Sequence, residues 1–262
     1  MTRRTKVTIS ILHTAALKGH EPACSALVAP HYSAAAEGVP AERALEEYGA
    51  GLLLRACAGV TRDEDLAWGV RGKPALAGGV APGAGRSPAP ESAPGGAPGV
   101  ASRLPGISVS HDAGMVVLAL CPDAEVGVDL ARIGFDARVA RRVFGNGAAR
   151  ALGDGSTLGQ RVAFSCAWAE LEATLKGTGM GFALDFRSHP ELLDGWWHET
   201  RVILGDGSLA MPPEAGERGV GSWEPRGGLA PAACLSCACE LPFDLEVSWA
   251  DERVLGILAG GA

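Results

Sequence analysis

Two stretches of this chain carry different hydrophobic periods, and together they restrict its fold more than any other feature. Over 126–131 the apolar residues Val126, Val128 and Leu130 recur at every second position. That is the repeat of a strand whose side chains alternate between faces. Over 160–176 Val162, Phe164, Ala167, Trp168, Leu171 and Leu175 recur every three or four positions, the repeat of an amphipathic helix. Gly177 and Gly179 follow as stop signals. A second helix is predicted over 41–59, where Leu45, Tyr48, Leu52, Leu53 and Ala56 keep helical spacing up to Gly59, and a third over 137–152. Strands are predicted at 7–12, 66–70, 107–110, 115–120, 182–186, 197–204 and 232–240, with a hairpin turn at Asp112-Ala113-Gly114. Runs of strands flanked by helices indicate α+β architecture rather than alternating parallel α/β. Two halves, 1–120 and 121–262, each accommodate a long helix on a small, mostly antiparallel sheet.

The stretch 78–104 is rich in Gly, Pro, Ala and Ser. It has too little apolar surface to offset its ordering entropy, so a flexible loop is expected there. The stretch 211–230 has similar character, with Trp223 as a possible anchor. The remaining chain, within 262 residues that are 47% hydrophobic, is long enough to bury a core. No apolar run reaches the ~18 residues of a membrane span. The basic N-terminus is followed by an apolar run, 7–12, shorter than the ~7–15 residues of a signal peptide's core. A cytoplasmic protein without membrane association is expected.

The net charge of -7 argues against general nucleic-acid binding, because phosphate contacts require an excess of Lys and Arg. A local basic pocket for one phosphorylated ligand remains compatible with it. Seven cysteines sit mostly in apolar segments and read as buried free thiols. Cys234 and Cys237 have metal-ligand spacing, but no second pair accompanies them.

The two opening stretches also carry charge. With Val126, Val128 and Leu130 on the core face, Asp129 projects from the other side of the strand. It is either a solvated charge on a half-exposed strand or part of a site. On the helix, Trp168, Glu172 and Lys176 lie one turn apart on a single face. Glu172 and Lys176 alone would make a surface ion pair of ~0.2–0.5 kcal/mol. The aromatic in line with them suggests a partly buried face, where both charges need a compensating partner. Magnesium takes one or two carboxylates together with ligand phosphates and water. Asp129 and Glu172 would suit that ion, and Lys176 a phosphate oxygen. His111 and Lys73 read singly as a turn histidine and a solvated lysine.

The order of these pieces resembles the Sfp-type 4'-phosphopantetheinyl transferases. That family runs through a Gly-Lys-Pro turn, a strand ending in Ser-His, a Gly-Val-Asp strand, a helix with an aromatic end, a Trp-to-Lys helix and a Gly-x-Gly. This chain has Gly72-Lys73-Pro74, Ser110-His111, Gly127-Val128-Asp129, Val143-Phe144, Trp168 with Glu172 and Lys176, and Gly179-Met180-Gly181. The similarity covers about residues 40 to 255 and implies two halves related by a pseudo-twofold axis. It implies transfer of the 4'-phosphopantetheine arm of coenzyme A to a serine of an acyl, peptidyl or aryl carrier protein. By resemblance, Asp129 and Glu172 are magnesium ligands, Glu172 is also the base for the carrier serine, and Asp129, Glu172 and Lys176 form the catalytic set. Lys176, His111, Lys73, Ser110 and Arg43 would contact coenzyme A. A monomer is implied as well.

Three positions depart from the family pattern. A second strand carboxylate is replaced by Ala131, a lysine before the helical Glu by Leu171, and an Asn before Ser-His by Ser108. These departures keep open an alternative, a non-catalytic relative that binds coenzyme A or a carrier without transfer.

Overall fold

The computed structural model describes residues 4–69, 71–77, 105–213 and 228–260. The fold is α+β, and the chain divides into two compact units. Unit 1 comprises Met1–Val109, Gly114–Glu125 and Leu241–Ala262; unit 2 comprises Ser110–Ala113 and Val126–Glu240.

Unit 1 is built on β1 (Thr5–His13), β4 (Gly106–Asp112), β5 (Met115–Cys121) and β10 (Phe243–Trp249), in the order β10-β1-β5-β4. The β1–β5 pairing is antiparallel, with Ile9 opposite Ala119. On its other edge β1 pairs in parallel with β10, with Ile9 opposite Val247. All seven residues of β5, Met-Val-Val-Leu-Ala-Leu-Cys, are buried, as a strand covered on both faces requires. Helix α3 (Ala41–Ala58) brings Leu45, Leu52, Leu53 and Leu54 into one cluster with Leu12, Val116 and Leu118. It ends where Gly59 takes φ 74°, a left-handed stop that favours glycine. The predicted helix over 41–59 thus appears within a residue of its expected bounds.

The shorter elements α1 (Glu21–Leu27) and α2 (Pro30–Ala35) add Cys24, Val28 and Tyr32 to the same core. A small hairpin joins β2 (Leu66–Trp68) to β3 (Pro74–Leu76). The strand expected over 66–70 therefore ends at Trp68, and Val70 lies outside the described residues. Helix α6 (Asp251–Gly260) buries Val254 and Leu258 in the unit 1 core. Because β10 pairs with β1, residues 241–262 join the first unit, whereas a cut between 120 and 121 would assign them to the second half.

Unit 2 contains β6 (Val126–Arg132), β7 (Trp197–Leu204), β8 (Leu209–Ala210) and β9 (Pro231–Cys239), in the antiparallel order β6-β9-β7-β8. Helix α5 (Leu158–Thr178) lies across β6, β9 and β7. Its start is set by a capping box, Thr157 accepting from Gln160 N–H while the Gln160 side chain accepts from Thr157 N–H. Gly179, at φ 71°, ends it. Gly177, expected as a stop, instead lies inside the helix and is buried. Helix α4 (Ala137–Leu152) begins at the Asp136 cap and is broken at Gly145, whose φ 80° and ψ 168° are not helical.

The strand expected over 182–186 is not formed. Gly181–Ala183 makes a 3-10 turn, and Phe182 packs its ring between Trp168 and Phe186. Ring contacts in place of backbone pairing explain the difference. The loop expectation for 78–104, and 214–227 of the expected loop 211–230, including Trp223, lie outside the described residues.

Candidate functional site

The site in unit 2 is assembled from β6, the end of β4 and the last two turns of α5. Alternation along β6 places Asp129 on the face that α5 covers, so the carboxylate is buried rather than solvated, with 2% of its surface exposed. Its Oδ1 accepts hydrogen bonds from Lys176 Nζ at 2.6 Å and from Ser110 Oγ at 2.9 Å. Ser110 Oγ in turn accepts from Lys176 Nζ at 2.8 Å and from Leu130 N–H at 3.2 Å. That hydroxyl is saturated, with one proton given and two received.

The other oxygen of the same carboxylate is not. Asp129 Oδ2 is buried and receives no hydrogen bond from an N–H or hydroxyl group among the described residues. A buried carboxylate oxygen that has lost water needs a replacement partner, and the protonated Glu172 carboxyl hydrogen-bonds Asp129. Glu172, one turn before Lys176 on the same face, brings its own carboxyl to Asp129. Burial pushes the Glu172 carboxyl up to about 7, and the Asp129 charge adds to the rise. Lys176 opposes both; the hydrogen bond that the protonated Glu172 carboxyl gives Asp129 adds to the rise, and the Asp112 charge adds a smaller push upward. One ammonium thus serves two converging acids, and the protein holds Glu172 partly protonated near neutrality.

The chemistry of this donor set fits a divalent cation. Two carboxylates from different elements converge, and they share one ammonium and one proton, a place a divalent cation could take. Among the described residues no group of three or more His, Cys, Asp or Glu side chains is disposed to hold a metal. Magnesium does not need three, since it retains waters and shares ligand phosphates. Asp129 and Glu172 are the residues that would hold it.

The other predicted site residues fall in different places. His111 follows Ser110 on β4 and by alternation presents to the opposite face. Lys73 belongs to unit 1, where its ammonium pairs with Glu125 at 2.6 Å. Its side chain is 15% exposed, so it is not the solvated lysine that its surroundings in sequence suggest. Arg43, on α3 in unit 1, pairs with Glu46 at 3.2 Å and with Glu47.

Ala131 is 6% exposed and packs among Val162, Cys166 and Ala169. An acid at that position would enter the apolar seam between β6 and α5. Cys234 and Cys237 sit three apart on β9 and so point to opposite faces. All seven cysteines are free of disulfides.

Sequence reasoning missed three contributors. Asp112, two residues after Ser110 and on its face, accepts from Arg132 N–H at 2.7 Å; the i, i+2 spacing from Ser110 was the available signal. His198 on β7 meets Thr174 Oγ1 at 2.7 Å through Nε2, and burial holds its pKa below the usual value. Trp196 lies over Gly177, and no local pattern marks it. A cavity of about 250 Å³ opens elsewhere in the unit, between Phe135, Arg141 and Arg150 at the break in α4, and includes none of the residues above. No helix among the described residues is long and apolar enough to cross a membrane. No protein-family model matches this chain, and no curated protein is significantly similar to it.

Proposed function

We propose that this chain is an Sfp-type 4'-phosphopantetheinyl transferase, moving the phosphopantetheine arm of coenzyme A onto a serine of an acyl, peptidyl or aryl carrier protein. One observation carries the reading: the buried Asp129 carboxylate meets Glu172, whose carboxyl is raised to about 7 by burial and by the Asp129 charge, with Lys176 as the shared cation. A group near that value accepts a proton at neutral pH and can release it again.

In the reaction, the carrier serine Oγ forms a bond to the phosphorus that bears the pantetheine arm. The bond from that phosphorus to adenosine 3',5'-bisphosphate breaks, and the leaving group keeps the electron pair. Glu172 takes the serine proton, directly or through water. Lys176, whose Nζ already spans Asp129 and Ser110, offers a fixed positive charge to a phosphate oxygen. Bound magnesium would neutralise charge on the diphosphate, the principal requirement of phosphoryl transfer. Ser110 orients Lys176 and Asp129 together. The proposal assigns Lys73, Arg43 and His111 to coenzyme A by resemblance alone. It extends to a monomeric, cytoplasmic protein with two pseudo-twofold halves; a long helix on a four-stranded sheet in each unit supports the last point.

A second reading has its own support. The buried, apolar setting of Ala131 removes an acid that the family pattern supplies, which favours a relative that binds coenzyme A without transfer. Incubation with coenzyme A, magnesium and a panel of apo carrier proteins separates the two. Intact-mass analysis of the carrier is expected to show addition of the phosphopantetheine arm. Carriers that all stay at the apo mass, while coenzyme A binds in calorimetry, would establish the second reading instead.

A further inference from the structure

Asp129 and Glu172 converge because α5 lies unusually close to β6 at one point. At Gly127, two residues before Asp129 on the same face of β6, an added Cβ would overlap the Ala173 carbonyl and stand 2.5 Å from Gly177 N. Real Cβ atoms do not approach backbone so closely, and neither obstacle is a side chain that can turn aside. Ala173 follows Glu172 directly, and Gly177 follows Lys176 directly. The contact therefore fixes the height above the strand of the helical turn that carries both functional side chains.

A second glycine closes the same turn from outside. A Cβ on Gly177 would collide with the Trp196 indole, standing 2.6 Å from Cη2. Gly177 is buried one residue before the end of α5, where glycine still forgoes the helix propensity of alanine. Retaining it there is consistent with a packing demand. The last turn of α5 is thus held between the bare backbone of β6 and one aromatic ring.

We infer that Gly127 and Gly177, with Trp196, are positioning residues: they bring the Glu172–Lys176 turn onto Asp129, so the acid pair and its ammonium bridge exist only at this helix–strand spacing. The inference rests on the proposed magnesium-dependent reading for its functional meaning, but its geometry can be tested without it. The obstacles differ in kind, and so should the rescues. At Gly127 the obstruction is backbone, and no side-chain truncation relieves it. At Gly177 it is the edge of an indole, and shortening Trp196 relieves it.

The test uses Gly127→Ala, Gly177→Ala, Trp196→Ala and the Gly177→Ala/Trp196→Ala pair in the full chain, each checked for a cooperative thermal transition. Two readouts are taken. One is the Leu130 amide resonance, because its acceptor, Ser110 Oγ, also binds Lys176; Lys176→Met supplies the shift of a broken bridge. The other is titration with magnesium alone by calorimetry.

Gly127→Ala is expected to move the Leu130 amide to the Lys176→Met position and to weaken magnesium binding at least tenfold. Gly177→Ala should do so in part, and the added Trp196→Ala should restore both readouts. A folded Gly127→Ala protein with the wild-type amide position and wild-type magnesium affinity overturns the inference. If Gly127→Ala does not fold, Gly177→Ala decides: failure of Trp196→Ala to restore the amide position overturns it equally. If the wild-type protein binds no magnesium, the functional reading fails by itself, and the Leu130 amide still decides the positioning.

Discussion

Unit 1 buries one aspartate, Asp65, and unit 2 another, Asp129, with 8% and 2% of their surfaces exposed. Asp65 Oδ2 accepts from Thr61 N–H, Thr61 Oγ1 and Arg62 N–H, and its Oδ1 accepts from the Arg62 guanidinium at 2.9 Å. Burial alone would push this carboxyl up; the Thr61 and Arg62 donors outweigh that and hold it at about 2. Asp129 has two donors on one oxygen, no N–H or hydroxyl donor on the other, and a second acid hydrogen-bonded beside it. An aspartate that only closes a turn is saturated by its own neighbours in the chain. An aspartate at the meeting of three elements, held by Lys176 and Ser110 and set against a second acid, draws its partners from remote parts of the chain.

The largest expected effect breaks the functional side alone. Glu172→Gln keeps the shape and hydrogen bonding of the side chain but removes the proton acceptor. Transfer to a carrier should fall by at least ~10³-fold, well within the range assigned to a general base, with the melting temperature preserved. Carrier mass after timed incubation measures it, and a variant of undiminished rate would remove Glu172 from its role.

Next, the two aspartates should respond differently to the same change. Asp65→Asn strips a buried acceptor of its charge-assisted bonds and should cost about 2–3 kcal/mol of stability. Asp129→Asn weakens the Lys176 ion pair but also relieves the repulsion with Glu172, so it should cost less metal-free stability than Asp65→Asn, and it should abolish magnesium binding. Chemical denaturation and calorimetry read the two quantities; equal losses of stability at both positions would erase the distinction drawn here.

The pH dependence sharpens it further. The folded value of Asp65 lies below its ordinary 3.8, so its contribution is present above that value and is lost as pH falls through about 2. The folded value of Glu172 lies above its ordinary 4.5, so its contribution is complete below that value and is lost as pH rises through about 7. Metal-free protein should therefore lose melting temperature as pH rises from about 4.5 to about 7 and level off above that, and magnesium should recover more of it at pH 8 than at pH 5. A flat profile from pH 5 to 8 contradicts the acid pair.

The smallest effect concerns the missing acid. Ala131→Glu places a carboxylate in the seam of Val162, Cys166 and Ala169. It should lower stability by about 1–3 kcal/mol and leave the magnesium requirement no better than before. A lowered metal requirement with unchanged stability would show that the seam opens toward the ion.

Part of the arrangement around Asp129 is legible in the sequence. Asp129 was readable from a strand of period two, and Glu172 and Lys176 from a helical stripe headed by Trp168. Ser110 was singled out only as half of a Ser-His pair, yet it is the hydroxyl that links Lys176 to Asp129. Asp112 passed as a turn residue, because its influence on Glu172 runs across the sheet and not along the chain. The expected strand over 182–186 failed because Phe182 and Phe186 are apolar for ring packing against Trp168, which has no period of two.

Sequence by itself determined the strand that carries Asp129, the helices over 41–58 and 158–178 and which side chains share their faces, since these follow from repeats of two and 3.6 residues in the local chain. Tertiary structure decided that β10 returns to pair with β1, and that α5 approaches β6 closely enough to set Glu172 against Asp129. Those outcomes depend on distances between residues remote in the chain: a missing Cβ at Gly127 acts only on whatever packs over it.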